Sequence, residues 1–314
     1  MADSKVAIFP ASGGIGGSTL THLVDAIDPS RIIAIVRNPD NISSRNRNSG
    51  ISIRVADYDK ESTLEHAFDN ASILNLISYA SIQHKHRYNA HKLAIDAARK
   101  SGVKHIFYSS LAFAGDGEPI SEAHVMQAHL DTEKYLASIA AQDPSFTYTV
   151  VRIGLYSESF PLYTAFFDLK NPSDEIRIPH DGSGPGIAWA KQDELGEAAA
   201  KLMKSYLASP KTFAYINKII LLSGPRVWSL SETAEVLGRV AKKPVKIRQV
   251  TVEQYSLQPQ VQRGMTYGGG DLAPAWATAF EAIRRGEAAV VTPHLRQLLG
   301  REPEPFDQTI AKMV

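Results

Sequence analysis

Cysteine is absent from the 314 residues. Disulfides, thiolate catalysis and cysteine-based metal sites are therefore excluded. No stretch approaches the roughly 18 apolar residues that cross a bilayer as a helix. The opening Met-Ala-Asp-Ser-Lys is polar and lacks the apolar core of a secretion signal. A cytoplasmic protein with no membrane partner is the expectation. Neither charge sign is in excess, with 34 Lys and Arg against 33 Asp and Glu. No long basic or acidic tract appears, so nucleic acid is not an expected partner.

What is present is an alternation. Apolar runs at 6–9, 32–36, 51–55, 73–77, 105–109 and 147–153 are separated by helical patterns. The first helix carries Ile15, Leu20, Leu23, Val24 and Ile27 on one side, and another spans 84–100 and ends near Gly102. Almost unbroken apolar strands belong to a parallel sheet covered on both faces. Right-handed crossovers then give a doubly wound α/β fold of the Rossmann kind. Past residue 154 the rhythm loosens. A helix rich in Phe and Tyr is expected over 156–170, and a loop with one short strand over 171–186. A helix at 192–207, a strand at 219–222, a helix at 229–241 and a strand at 245–248 follow. The remainder reads as mostly helical, with Gly268-Gly269-Gly270 as a flexible joint. Residues 1–153 form the expected nucleotide-binding domain. Residues 154–314 mix sheet-extending elements with a smaller α+β lobe that covers the substrate.

The turn after the first strand reads Pro10-Ala11-Ser12-Gly13-Gly14-Ile15-Gly16-Gly17. Glycines let backbone approach a pyrophosphate, and a helix start offers unpaired N–H groups to it. Ala11, Ser12, Gly13, Gly14, Ile15 and Gly16 are the candidate phosphate contacts. Pro10 stands where such loops usually have their first glycine, and it has no N–H to give. The second strand ends in Arg37 rather than in the acidic residue that reads the ribose of NAD. A guanidinium there pairs with a 2′-phosphate, which favours NADP(H). Asp57, after the third strand, is placed to receive the adenine amino group. Ile77, Ser78 and Tyr79 end the fourth strand and wall the nicotinamide, with Ser109 beside it.

Taken together, these residues resemble the NmrA-like branch of the atypical short-chain dehydrogenase/reductases. That branch also contains quinone oxidoreductases and isoflavone-reductase-type enzymes. The resemblance runs through Gly13-x-x-Gly16, Val36-Arg37-Asn38-Pro39, Ala56-Asp57-Tyr58-Asp59 and His105-Ile106-Phe107-Tyr108-Ser109-Ser110. It continues in the segment from His129 to Leu136, in Val151-Arg152-Ile153-Gly154-Leu155-Tyr156, and in Leu298-Leu299-Gly300-Arg301-Glu302-Pro303 with Phe306. It implies an extended Rossmann fold and an NADP-type cofactor, with Asn38, Tyr58 and Gly154 added to the cofactor contacts.

One further absence concerns chemistry. Short-chain dehydrogenases use a Tyr-x-x-x-Lys on the helix after the fifth strand, where the lysine eases proton transfer from the tyrosine. The Tyr88-x-x-x-Lys92 of this chain lies on the preceding helix and reads as coincidence. The helix at about 121–141 carries His129 and Glu133 instead, four apart and on one face. A carboxylate there orients the imidazole and raises its pKa toward neutrality. The same pairing occurs in the quinone oxidoreductases this chain resembles. Lys134 is turned about 100° from Glu133 and faces solvent. Tyr156, Phe160, Tyr163, Phe166 and Phe167, with Trp189 further on, gather where they would cover the nicotinamide. Flat aromatic walls suit a small aromatic or conjugated substrate. His84, His86 and His91 do not form a metal set, since 84 and 86 point apart on a helix. The expected activity is NADPH-dependent reduction of a quinone, enone or related conjugated carbonyl. A redox-sensing regulator that binds NADP(H) without turnover, and an isomerase or tailoring enzyme of specialised metabolism, are the alternatives. A monomer and a homodimer both stay open.

Overall fold

The computed structural model describes residues 4–267 and 270–313. Gly268 and Gly269 of the expected joint lie outside the described residues. The first half alternates strand and helix: β1 (Lys5–Phe9), α1 (Gly14–Ala26), β2 (Ile32–Val36), a short α2 (Ser44–Arg47), β3 (Ser52–Val55), β4 (Ala71–Ile77), α3 (His84–Lys100), β5 (His105–Leu111), α4 (His124–Gln142) and β6 (Thr147–Ile153). The second half holds α5 (Phe160–Tyr163), β7 (Glu175–Ile178), α6 (Gln192–Ala208), β8 (Lys218–Leu222), α7 (Leu230–Val240), β9 (Lys246–Gln249), α8 (Val252–Ser256), α9 (Pro259–Gly264), α10 (Ala273–Arg284), α11 (His294–Leu299) and α12 (Phe306–Ala311).

Seven strands make one parallel sheet in the order β3-β2-β1-β4-β5-β6-β8. The apolar runs lack polar alternation because each strand buries both faces. Val6 and Ile8 of β1 enter the layer under α1 and α6, while Ala7 and Phe9 enter the layer under α3. The doubly wound fold is thus present. β1 lies between β2 and β4, so the chain leaves it in opposite directions, and a crevice opens at the strands' carboxyl ends. The sheet is completed from the second half: β8 pairs with β6, and α6 packs on α1 through a Ser18 hydroxyl donated to Asp193 at 2.8 Å.

The helix expected over 156–170 is much shorter. A 3₁₀ turn, Ser157–Ser159, precedes α5, which stops at Tyr163. The chain turns left-handed at Ala165 (φ 49°) and Phe166 (φ 57°), which no continuing helix allows. The Phe166 ring then lies on Gly264, where a Cβ would come within 2.1 Å of it. A tertiary contact overrides the local pattern. The remaining elements form a lobe around its own core: β7 pairs with β9 in parallel, Ser229 and Glu232 close a capping box on α7, and Trp189 stacks on Phe306 with ring centroids 5.2 Å apart. Among the described residues no helix is long and apolar enough to cross a membrane.

Candidate active site

The crevice is a cleft of about 710 Å³ running from the β1–α1 turn to the lobe. Ser12, Gly13, Gly14, Ile15 and Gly16 line its outer end with Pro10. Ala11 does not line it: its side chain is buried and its N–H goes to the Ile35 carbonyl at 2.8 Å. Gly13 precedes α1 at φ 67° and no side chain caps the helix, so the first-turn N–H groups are open to the cleft. A Cβ at residue 16 would fall 2.1 Å from the Pro10 carbonyl oxygen, so only glycine lets α1 close onto this turn. The turn therefore closes around Pro10 without a first glycine.

Arg37 is exposed, lines the cleft and forms no ion pair among the described residues. Asp57 stands next to it, because β3 pairs with β2 and Ala56 donates to the Val36 carbonyl. One Asp57 carboxylate oxygen already accepts the Asp59 N–H at 3.1 Å. Asn38 lies off the cleft lining, and its side-chain oxygen accepts the Asp40 N–H at 3.0 Å to cap a 3₁₀ turn. Tyr58 lines the wall, packs 4.3 Å from the Phe9 ring and donates to the Ile77 carbonyl at 2.7 Å. An open helix terminus, a turn with no room for a side chain and an unpaired guanidinium fit a phosphorylated dinucleotide.

Ile77, Ser78, Tyr79, Ser109, Gly154 and Tyr156 line the inner end. Beneath them a hydrogen-bond chain links two histidines and fixes the tautomer of the first. The Tyr79 backbone N–H donates to His91 Nε2 at 2.9 Å. Burial first, and the Arg87 charge second, hold the His91 pKa well below its ordinary value. His91 is therefore neutral and keeps its proton on Nδ1, which faces Thr132 Oγ1 at 2.9 Å and the Tyr108 hydroxyl at 3.3 Å. Thr132 donates its own hydroxyl to the Ala128 carbonyl at 2.7 Å. The Tyr108 hydroxyl also lies 2.9 Å from His129 Nδ1, a nitrogen to which it can donate. With Tyr108 as donor, a neutral His129 carries its proton on Nε2, which is buried and has no partner among the described residues, on a residue that lines the cleft.

The expected pairing of His129 with Glu133 does not form. Glu133 instead takes the Ser110 hydroxyl at 2.5 Å and the Arg152 guanidinium at 3.1 and 2.8 Å. Helical spacing puts both residues on one face of α4, but Arg152 arrives from β6 and claims the carboxylate. The His129 pKa is lowered rather than raised, by burial first and then by Arg87, His91 and Arg152. Lys134 is exposed. Tyr88 and Lys92 lie away from the cleft, where Lys92 pairs with Asp96 at 2.7 Å. His84 and His86 reach Asp131 and Asp59, and among the described residues no cluster is arranged to hold a metal.

Of the expected aromatic cover, Tyr156 and Tyr163 line the cleft, whereas Phe160, Phe167 and Trp189 are buried in the lobe core. Their helical spacing served packing. Lining residues that were missed include Arg87, Gln192, Met265 and Trp276. Trp276 is held by an Nε1–H donated to the Leu162 carbonyl at 2.9 Å, and nothing local sets it apart from a core residue. Arg87 did leave a signal. It falls on the face of α3 that buries Ala90, His91, Ala94 and Ala98, where an arginine is out of place.

Residues 2–266 match the model of the NmrA-like family. The chain belongs to that family. This NmrA-like protein is 28% identical over 321 residues to the NmrA-like family domain-containing oxidoreductase flvB of Aspergillus flavus, an overlap of 99% of this chain and 95% of the relative. It is 31% identical to quinone oxidoreductase 2 of Escherichia coli over 80% of this chain and 79% of the relative. Among solved structures, the NADPH complex of the E. coli NADPH-dependent quinone oxidoreductase QOR2 superposes with a TM-score of 0.78 at 26% identity, covering 98% of this chain and 99% of that one. The NADP(H) complex of Citrobacter sp. triphenylmethane reductase gives 0.74 at 27%, covering 99% and 100%. The likeness spans both halves of the NmrA-like chain, including the lobe that closes its cleft.

Proposed function

We infer that this NmrA-like protein is an NADPH-dependent oxidoreductase that reduces quinones and related conjugated carbonyls. The observation that carries the reading is one continuous cleft. It joins the open α1 terminus and unpaired Arg37 to an inner end walled by Tyr156, Tyr163 and Trp276. Both the quinone oxidoreductase and the triphenylmethane reductase that it resembles were solved with NADPH or NADP(H).

NADPH supplies hydride when bound. The α1 N–H groups and Gly13–Gly16 backbone hold the pyrophosphate, and Arg37 holds the 2′-phosphate. Ser78, Tyr79, Ser109 and Gly154 border the nicotinamide. The aromatic walls stack a flat acceptor and exclude water from its faces. His129 offers its Nε2 proton as a hydrogen bond to an acceptor oxygen while staying neutral, with Tyr108 as donor to its Nδ1. Glu133 supports this arrangement from outside, by anchoring Arg152 and Ser110 rather than by moving a proton.

Steady loss of NADPH absorbance with a panel of quinones and enones tests the reading. Tight NADPH binding with no turnover across the panel would overturn it.

A further inference from the structure

Two arginines are buried at the inner end, and they differ in one respect. Arg152, fully buried, spends its donors on Glu133 and on the carbonyls of Ala114, Gly115 and Glu118. Arg87 is only 9% exposed, yet it makes one hydrogen bond, from Nε to the Ser78 hydroxyl at 2.9 Å. No carboxylate lies within ion-pair distance of it among the described residues. Among the described residues its Nη edge, with four N–H donors, has no acceptor. A buried cation left in this state is costly unless a ligand completes it.

Its surroundings say where that ligand sits. Arg87 is in the first turns of α3, just past the end of β4. It is within electrostatic reach of Tyr108 on β5 and Tyr156 after β6. The phosphate turn and Arg37 stand instead at the ends of β1 and β2. Three described lining residues carry formal charge: Arg37 and Asp57 side by side at the outer end, and Arg87 alone further in. The inner end is therefore a positive, aromatic-walled pocket with a neutral histidine donor in it.

We propose that Arg87 binds the acceptor oxygen that becomes anionic during reduction, and that the site accordingly selects neutral or anionic oxygen-bearing acceptors over cationic ones. The proposal rests on the reductase reading above. The acceptor gains one hydrogen and two electrons as hydride from the reduced nicotinamide, which leaves oxidised. The negative charge comes to rest on the acceptor oxygen, facing the Nη edge of Arg87 and Nε2–H of His129. A proton from water entering the open cleft then completes the hydroquinone or alcohol. Ser78 is a positioning residue: it takes the Nε–H and so turns the free edge toward the cleft. A preorganised guanidinium at the point where charge develops lowers the barrier without reorganisation.

The test uses the full-length protein, Arg87→Met and Arg87→Lys, with menadione as a neutral quinone and lawsone as a hydroxynaphthoquinone that is an anion at neutral pH. Arg87→Met is expected to weaken lawsone binding to the NADP⁺-saturated protein by at least about tenfold, the effect of one charge-assisted contact. It should lower kcat for menadione by a similar factor, leave the NADPH dissociation constant within about twofold, and leave the melting temperature equal or higher. Arg87→Lys should recover part of both losses. A parallel loss of NADPH affinity would assign Arg87 to the cofactor and overturn the proposal. So would unchanged lawsone binding and menadione turnover. Absence of quinone turnover in the parent protein would defeat the reductase reading instead, and the lawsone titration would still decide the role of Arg87.

Discussion

Glu133 and Arg152 form a buried ion pair, with the guanidinium Nε and Nη2 at 3.1 and 2.8 Å from the two carboxylate oxygens. The contact joins α4 to β6, and through Ala114, Gly115 and Glu118 it also holds the loop that follows β5. The carboxylate one helical turn from the cleft histidine thus serves the framework, and the histidine takes its orientation from a phenol.

Glu133→Gln should therefore act on stability. It leaves a buried guanidinium short of its counter-charge, a loss of about 3–5 kcal/mol. Urea unfolding measures it, and replacing both partners by apolar residues should not restore the loss, because the Ala114, Gly115 and Glu118 carbonyls then lose their donor. A fall in kcat with unchanged unfolding would instead place Glu133 in proton transfer.

Tyr108→Phe removes the hydroxyl hydrogen-bonded to His129 Nδ1. The ring still packs, but Nδ1 loses that partner. We expect kcat for quinone reduction to fall about tenfold, or roughly 1.4 kcal/mol, with NADPH affinity unchanged. Undiminished turnover would show that the Nε2 proton is not used.

Arg37→Ala should weaken NADPH binding by about 1–3 kcal/mol, the worth of a charge-assisted contact, and leave NADH almost untouched. Titration of both cofactors decides this, and equal losses would sink the 2′-phosphate assignment.

The buried histidines predict an acid limit to stability. Burial holds His105 at about 3 and lowers His91 and His129 well below their ordinary value. In the unfolded chain all three take up protons below about pH 6.5. The unfolded state then binds more protons than the native one, so stability is fully present above that pH and declines as pH falls. Each histidine contributes a slope approaching about 1.4 kcal/mol per pH unit, down to about pH 3 for His105. Urea midpoints between pH 7.5 and pH 5, taken as about the working range of a neutral-pH enzyme, should fall accordingly. Between pH 7 and 8 kcat should carry no limb from His91 or His129, because burial holds both well below that range.

The parallel sheet was legible because its strands are apolar on both faces, a pattern that local sequence carries without reference to neighbours. The outer end of the cleft was legible for a similar reason. Gly13, Gly16 and Arg37 act through backbone shape and position at strand ends, which follow from the order of the elements. The inner end was not. His129 and Glu133 share a helical face, but their partners are Tyr108 on β5 and Arg152 on β6, distant in sequence. The long helix read across 156–170 failed because Phe166 packs on Gly264, nearly a hundred residues away.

By itself, then, the sequence determined the doubly wound layering, the place of the glycine turn and the exposed arginine at the end of β2, since periodicity and glycine placement act locally. Tertiary structure alone decided which buried charges are paired. Arg152 and Arg87 are both arginines at the same end of one sheet. Only the chains that pack around them give the first five acceptors and the second a single hydroxyl. That difference arises because a buried charge is satisfied by whichever groups the fold brings to it, and those come from remote segments.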